Sequence, residues 1–215
     1  MNRWLMGWLM LLLSASAWSQ DGMVLLERFV KDTRTGQANF TQTVTAPARD
    51  GQPSRIKTSS GRFEFSRPAR FRFTYSRPFE QLIVADGQTL WLHDVDLNQV
   101  TARKQADVLG STPAVLFASA NDLKSLQADF QLRADGERDG LTWVQATPKS
   151  RDGSVQVIRA GLQASPRGVL LSVLEIDDSL GQKSVMRFAD MQINLTLPSS
   201  TFRFQPPPGA DVLRP

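Results

Sequence analysis

The stretch from Gly61 to Tyr75, GRFEFSRPARFRFTY, places an aromatic residue at every second position on both sides of an Arg-Pro step. Side chains of a β-strand point alternately to opposite faces, so Phe71, Phe73 and Tyr75 share one face. The arginines between them then lie on the other face, as in a half-buried antiparallel strand. Pro68 cannot donate a hydrogen bond to a neighbouring strand and belongs at a strand start, an edge or a turn. The stretch predicts an aromatic-floored sheet with an arginine at its break.

The rest of the chain repeats this alternation in short runs separated by turn residues such as Asp135-Gly136. The predicted strands are 38–45, 54–66, 71–75, 80–85, 89–93, 95–104, 130–133, 141–146, 155–160, 169–177, 183–195 and 202–204. The proline-rich tail from Pro206 is expected to be extended and to finish at a sheet edge. The fold class is therefore mainly β (α+β), a large curved sheet or barrel of about eleven antiparallel strands.

Three short helical segments interrupt the strands. The segment DGMVLLERFVKD has apolar residues at helical spacing, with Asp21 as its cap and Gly36 as its end. Thr112-Pro113 is a helix start because proline favours the first helical position. Asn121 is expected to cap a third piece. The same helices could pack as ordinary core or lie over a sheet as a lid.

The amino-terminal 19 residues have the features of a secretory signal peptide. Arg3 precedes a short apolar run from Leu5 to Leu13, and small residues follow it. Cleavage is expected after Ala17 or after Ser19. The mature chain, 20–215, is expected to be a single exported domain in the periplasm, with no amino-terminal cysteine to carry a lipid.

Composition excludes several kinds of chemistry. The chain has no cysteine, which excludes disulfides, thiol nucleophiles and thiolate metal sites. Its one histidine, His93, cannot form an imidazole cluster and is interpreted as a surface strand residue. The glycines stand singly at turns, so a phosphate-cradling loop is not indicated. We therefore expect neither an enzyme nor a metal or cofactor site.

The basic, aromatic stretch also invites comparison with a nucleic-acid platform. The net charge is +4 and the pI is near 9.8. Beyond Pro68, however, alternation separates the arginines from the aromatic rings, whereas a stacking groove needs both on one face. The signal peptide also directs the chain away from nucleic acid. A solvated basic surface is the simpler interpretation, and the aromatic residues fit either an ordinary core or an apolar ligand cavity.

Several segments, taken together and in order, resemble the periplasmic outer-membrane lipoprotein carrier family, LolA. They are ANFTQTVT, SRPARFRFTY, LIVADGQTLWLHDVDLNQVTA, GSTPAVLF and FRFQPPPGADV, and they span nearly the whole mature chain. The resemblance implies an incomplete antiparallel β-barrel closed by a lid of three short helices. It also implies a monomeric shuttle with transient membrane contact. Such a shuttle takes triacylated lipoproteins from an ATP-driven inner-membrane exporter to an outer-membrane receptor.

The resemblance also assigns residues. Arg67 matches an arginine that links the sheet to the lid and is needed for ligand transfer. The implied lipid-binding positions are Leu26, Val30, Phe63, Phe71, Phe73, Tyr75, Ile83, Val115 and Leu116. The arginines at 70, 72 and 77 form a candidate docking surface for acidic partners. The alternative function is a lipid-sensing periplasmic regulator with the same half-barrel fold.

Overall fold

A computed structural model describes residues 21–48, 53–109, 122–150 and 153–215. The described strands, β1 to β12 in chain order, are Thr35–Ala46, Arg55–Ser66, Arg70–Arg77, Gln81–Ala85, Thr89–Asp94, Gln99–Lys104, Phe130–Arg138, Leu141–Pro148, Val155–Ser165, Gly168–Asp178, Lys183–Ile193 and Asp211–Leu213. The described α-helices, α1 to α3, are Gly22–Asp32, Gln105–Leu109 and Leu123–Asp129. A 3-10 turn spans Ser199–Phe202.

The strands form one open sheet in the order β12-β6-β5-β4-β3-β2-β1-β11-β10-β9-β8-β7. All neighbours are antiparallel except β12, which runs parallel to β6. The predicted incomplete antiparallel barrel is thus confirmed, with twelve described strands rather than about eleven. The proline-rich tail leads into β12, which takes the place of the predicted strand 202–204 and finishes at a sheet edge as expected. β1 joins the two halves of the sheet, because it pairs with β2 on one side and β11 on the other.

Helix α1 forms because its sequence provides both a cap and an apolar stripe. The Asp21 carboxylate accepts a hydrogen bond from the Met23 amide at 3.0 Å, which satisfies one of the amides left unpaired at a helix start. The stripe is buried against the half of the sheet formed by β7 to β10. The helix ends at Asp32, the last residue of the predicted segment, but Thr33 rather than Gly36 terminates it. Gly36 lies inside β1, where a side chain would collide with the Phe65 ring.

Two other local predictions are wrong. The predicted strand 202–204 is a 3-10 turn followed by extended chain. Asp135-Gly136 does not reverse the chain, because β7 continues through it with a register shift between Ala134 and Glu137. Such a shift is a β-bulge, which tolerates the same residues as a turn. The chain reverses instead at Asp139-Gly140.

The other predicted helix starts are only partly described. Thr112, Pro113 and Asn121 lie outside the described residues. Helix α3 begins after Asp122, whose carboxylate accepts from the Ser125 amide at 2.7 Å. The cap is therefore one residue beyond the predicted Asn121.

The carboxy-terminal segment covers the face of the sheet opposite to α1, which we call the outer face. His93 lies there, only 8% exposed, with its ring centroid 5.7 Å from that of Phe204. Its prediction as a surface residue is wrong, because the covering segment is distant in sequence. Arg72 donates to the Thr201 carbonyl, and the Arg70 guanidinium lies over the Phe202 ring. These two members of the predicted docking surface contact the carboxy-terminal segment, whereas Arg77 is exposed.

Candidate binding cavity

The inner face of the sheet, against which α1 packs, has an aromatic floor. Phe63 and Phe73 stack at a centroid distance of 4.4 Å, and Phe40 meets Phe73 edge-on at 5.6 Å. Phe63 also stacks on Phe65, which in turn lies 6.5 Å from Phe29 of α1. The floor forms because β2 and β3 both carry an aromatic residue at every second position and pair in register.

A cavity of about 380 Å³ lies between the aromatic floor and the opposite half of the sheet. Most of its walls are apolar, and its polar side chains are confined to a few positions. Its lining residues are Gln42, Phe71, Phe73, Tyr75, Ile83, Leu90, Leu92, Ser154, Val155, Leu174, Ile176, Asp178, Ser184 and Met186. Concave, largely apolar sites with few polar groups are typical of small-molecule and lipid binding.

Strand register arranges the inner face in rows whose polarity changes along the cavity. One row across β2 to β5 is entirely apolar, consisting of Phe65, Phe71, Ala85 and Leu90. The next row is also apolar, consisting of Phe63, Phe73, Ile83 and Leu92. The third row is Gly61, Tyr75, Gln81 and Asp94, so polar groups enter here. The cavity is apolar towards the β2–β3 turn and becomes polar in the opposite direction.

Three polar side chains, Gln42, Tyr75 and Ser184, form a connected group at this change of polarity, which we call the polar belt. The Tyr75 hydroxyl donates to Gln42 Oε1 at 3.0 Å, and Gln42 Nε2 donates to Ser184 Oγ at 2.9 Å. The Tyr75 ring packs edge-on against Phe40 at 4.9 Å. Burial raises the pKa of Tyr75 to about 12, so its hydroxyl keeps its proton at neutral pH and can donate.

A second cavity, also of about 380 Å³, adjoins the first and shares Gln42 and Tyr75 with it. Its wall is far more polar and includes both charged and amide side chains. Its other lining residues are Val44, Lys57, Ser59, Pro78, Phe79, Glu80, Gln81, Asp94, Asp96 and Leu97. The two cavities together form an amphipathic site with the polar belt between them.

Arg67 lies at the opposite, apolar end, in the turn between β2 and β3. Its residue is 6% exposed, and its Nε donates to the carbonyl of Thr33, the residue that caps α1, at 2.9 Å. Its backbone amide donates to the Arg34 carbonyl at 2.8 Å. The guanidinium lies 5.3 Å from the Phe29 ring centroid and 5.6 Å from that of Phe65. Arg67 thus links the sheet directly to the carboxyl end of α1.

Burial is the main cause of the unusual ionisation of Arg67. Desolvation, with a smaller contribution from the Arg34 charge, lowers its pKa to about 10. The side chain remains charged at neutral pH.

The structure places the predicted lipid-binding residues in two groups. Four of them line the apolar cavity: Phe71, Phe73, Tyr75 and Ile83. Leu26, Val30 and Phe63 are at most 3% exposed and belong to the adjoining core rather than to the cavity lining. Val115 and Leu116 lie outside the described residues.

Sequence reasoning missed the wall of the cavity that comes from β9, β10 and β11. Leu174, Ile176 and Met186 face the aromatic floor across the cavity. Alternation in β10 and β11 predicts that one face of each strand is buried. It does not indicate which other strands that face contacts. That pairing depends on β1 bridging β2 and β11.

The described residues show few features of other kinds of site. Within the described ranges, His, Asp and Glu form no group of three or more that could hold a metal ion. In the same part of the chain, no helix combines the length and apolarity that a membrane crossing requires. His93 Nε2 is buried without a hydrogen-bond partner in the described structure, on the face opposite to the cavities.

An open antiparallel sheet that encloses an apolar cavity beside a polar one defines a class of proteins that bind apolar or amphipathic ligands. The family model described as outer membrane lipoprotein carrier protein LolA matches residues 31–205. The chain belongs to this family, as its sequence resemblance predicted.

Relatives named outer-membrane lipoprotein carrier protein match at nearly full length. The protein from Albidiferax ferrireducens is 60% identical over 193 residues, which cover 90% of this chain and 91% of that protein. The protein from Methylibium petroleiphilum is 49% identical over 203 residues, which cover 94% of each chain. Among solved structures, an uncharacterized conserved protein from Thermus thermophilus has a TM-score of 0.53 at 12% identity. The match covers 90% of this chain and 97% of that chain, and it shows a shared fold alone.

Proposed function

We propose that the protein binds the acyl chains of lipoproteins and carries them across the periplasm towards the outer membrane. The observation that carries this proposal is the apolar cavity on the inner face of the sheet. Its walls bear aromatic and aliphatic side chains from both halves of the sheet, such as Phe73 and Leu174. The names of the close relatives support the lipoprotein as the cargo.

Acyl chains need such a carrier for energetic reasons. Burying one CH₂ group contributes about 0.8 kcal/mol, so one chain of ~16 carbons exposes on the order of 10 kcal/mol of apolar free energy in water. A lipoprotein with three chains would cross an aqueous compartment too slowly to be useful. A carrier must cover these chains and then release them, and a cavity that opens and closes meets both needs.

Arg67 has the position that a latch requires. Its hydrogen bond to the Thr33 carbonyl joins the β2–β3 turn to the end of α1. If α1 moves away from the sheet to admit a ligand, this bond and the contacts with Phe29 and Phe65 break. We therefore propose that Arg67 stabilises the closed, empty carrier and thereby assists release of cargo.

The proposal also assigns residues that contact the acyl chains. We assign direct contact with acyl chains to Phe71, Phe73, Tyr75 and Ile83, which line the cavity. Leu26, Val30 and Phe63 are buried in the adjoining core, so ligand contact at these positions requires α1 or the neighbouring side chains to move. Val115 and Leu116 keep their predicted role on the basis of the resemblance alone.

The partners and the compartment are also part of the proposal. The signal peptide predicted at 1–19 supports export, and the mature chain would act in the periplasm as one domain, 20–215. An ATP-driven inner-membrane exporter would supply the cargo, and an outer-membrane receptor would accept it. We propose no catalytic step, since carrying and releasing a ligand require only binding and a conformational change.

A release assay tests the proposed function. The purified mature protein is added to inner-membrane vesicles that contain a matched exporter and an acylated lipoprotein, and ATP is supplied. We expect a soluble one-to-one complex of carrier and cargo. The control is the same cargo without acyl chains, which should form no complex. Lipoprotein that stays on the membrane, with the carrier folded and the exporter active, would refute the carrier function.

A further inference from the structure

The polar belt of Gln42, Tyr75 and Ser184 lies at the boundary between two cavities of opposite character. Gln42 and Tyr75 belong to the walls of both cavities. One cavity is lined mainly by aromatic and aliphatic side chains, and the other carries Lys57 and several carboxylates. A ligand that occupies both cavities must therefore have an apolar part on one side of the belt and a polar part on the other.

A site for hydrocarbon alone does not require these polar side chains. Burying an amide or a hydroxyl costs free energy unless the group is hydrogen-bonded. The belt offsets this cost through its two internal bonds, yet hydrogen-bonding capacity is left over. Gln42 uses one of its two amide hydrogens to bond Ser184, and the Ser184 hydroxyl accepts that bond with its own hydrogen still available.

The remaining capacity matches a particular chemistry. A triacylated cysteine joins its hydrocarbon chains to the peptide through two ester carbonyls and one amide carbonyl. The unused Ser184 and Gln42 hydrogens can donate to such carbonyls, and the Tyr75 oxygen can accept from a peptide amide. These groups lie where the row of Phe63 and Phe73 gives way to the row of Tyr75 and Asp94.

We propose that the polar belt binds the ester and amide linkage of an acylated cysteine. The acyl chains then extend towards the aromatic floor, and the first peptide residues enter the polar cavity. The inference rests on the proposed carrier function and adds to it a recognition of the linkage itself. The belt thereby distinguishes a lipoprotein from an unesterified hydrocarbon of the same length.

Two substitutions remove the belt's polar groups while keeping side-chain size. Tyr75→Phe removes only the hydroxyl, and Gln42→Met removes only the amide. Thr74→Val is the matched control, because it removes one hydroxyl from the opposite face of the same strand. Thermal unfolding of each variant checks that the fold is retained.

Binding is measured with three fluorescent or competing probes. The first is a tripalmitoyl-cysteinyl peptide, the second is its analogue with ether in place of ester linkages, and the third is the hydrocarbon 1,6-diphenylhexatriene. The wild type should bind the ester form more tightly than the ether form. Both belt variants should lose about 2- to 12-fold in affinity for the ester form. They should also lose the preference between the two forms and bind diphenylhexatriene as the wild type does.

Other outcomes overturn the inference in distinguishable ways. Equal weakening for all three probes would make the belt a structural link between strands. Unchanged affinity in both variants would exclude contact with the linkage. A wild type that binds diphenylhexatriene but not the acylated peptide would refute the proposed function itself, and the belt's role with it.

Discussion

Replacing Arg67 by leucine tests whether this side chain stabilises the closed carrier. A hydrogen bond from a charged donor contributes about 1.5–3 kcal/mol, and the Nε contact with the Thr33 carbonyl is of this kind. Each of the two ring contacts adds up to about 2 kcal/mol in a desolvated site. Against these gains, the lowering of the Arg67 pKa to about 10 corresponds to roughly 3 kcal/mol for keeping the buried group charged. The two ring contacts together roughly offset this cost, so the net effect favours the closed state by about the contribution of the hydrogen bond, 1.5–3 kcal/mol.

This net free energy sets the expected change in cargo handling. If loading breaks these contacts, their removal in Arg67→Leu favours the loaded state by the same amount. A coupling of about 1.5–3 kcal/mol corresponds to roughly a 10- to 150-fold change in affinity. We therefore expect the variant to bind acylated cargo more tightly and to transfer it more slowly. The free energy of unfolding of the empty protein should fall by no more than about 3 kcal/mol.

The assay follows a labelled acylated peptide from the loaded carrier to vesicles that contain the purified receptor. Equilibrium binding and urea unfolding are measured on the same samples. Arg62→Leu is the control, since Arg62 lies on the preceding strand with a half-exposed side chain paired to Glu64. Normal transfer by Arg67→Leu would refute the latch. Weaker cargo binding would instead place Arg67 in the binding surface.

Three further predictions concern the floor, the outer face and the polar belt. Phe63→Ala should lower the free energy of unfolding by about 3–5 kcal/mol, because it removes a fully buried ring stacked on two others, and urea unfolding measures this. His93→Leu should not destabilise the protein, because it removes a buried nitrogen without a described hydrogen-bond partner. It should also leave cargo transfer unchanged, and loss of transfer with the fold retained would contradict this expectation. Between pH 10 and about 12 the unfolded Tyr75 phenol loses its proton while the folded one keeps it, so the contribution of Tyr75 to the free energy of unfolding falls as the pH rises through this window. Tyr75→Phe lacks this contribution, so from about pH 9 to about pH 11 the free energy of unfolding of the wild type should fall relative to that of the variant, as urea unfolding measures; an unchanged difference between the two proteins would contradict burial of the hydroxyl.

Alternation predicts most of the fold because it reports directly which face of a strand is buried. The aromatic rows at 63–65 and 71–75 and the cap at Asp21 are all confirmed. The errors occur where one residue type suits two structures. Glycine in Asp135-Gly136 fits a turn or a bulge, and Gly36 fits a helix end or a close contact with a ring. Only the neighbouring strands decide between these possibilities.

The site is predicted less completely than the fold. Local pattern places Phe71, Phe73 and Tyr75 on one face, and that face does line the cavity. The opposite wall depends on contacts between residues that are far apart in the chain, such as Gln42 and Ser184, and periodicity does not contain these contacts. The burial of His93 has the same origin, since its covering residue, Phe204, lies far along the chain.

The bulge in β7 has a consequence for the behaviour of the protein at high concentration. An open sheet has two edge strands, and an exposed edge can pair with the edge of another molecule. Here one edge is β12, which is only three residues long. The other is β7, where the irregularity at Asp135-Gly136 interrupts the hydrogen-bonding pattern and charged side chains such as Arg133 are exposed. A chain that must keep its barrel open therefore has edges that disfavour growth into fibres.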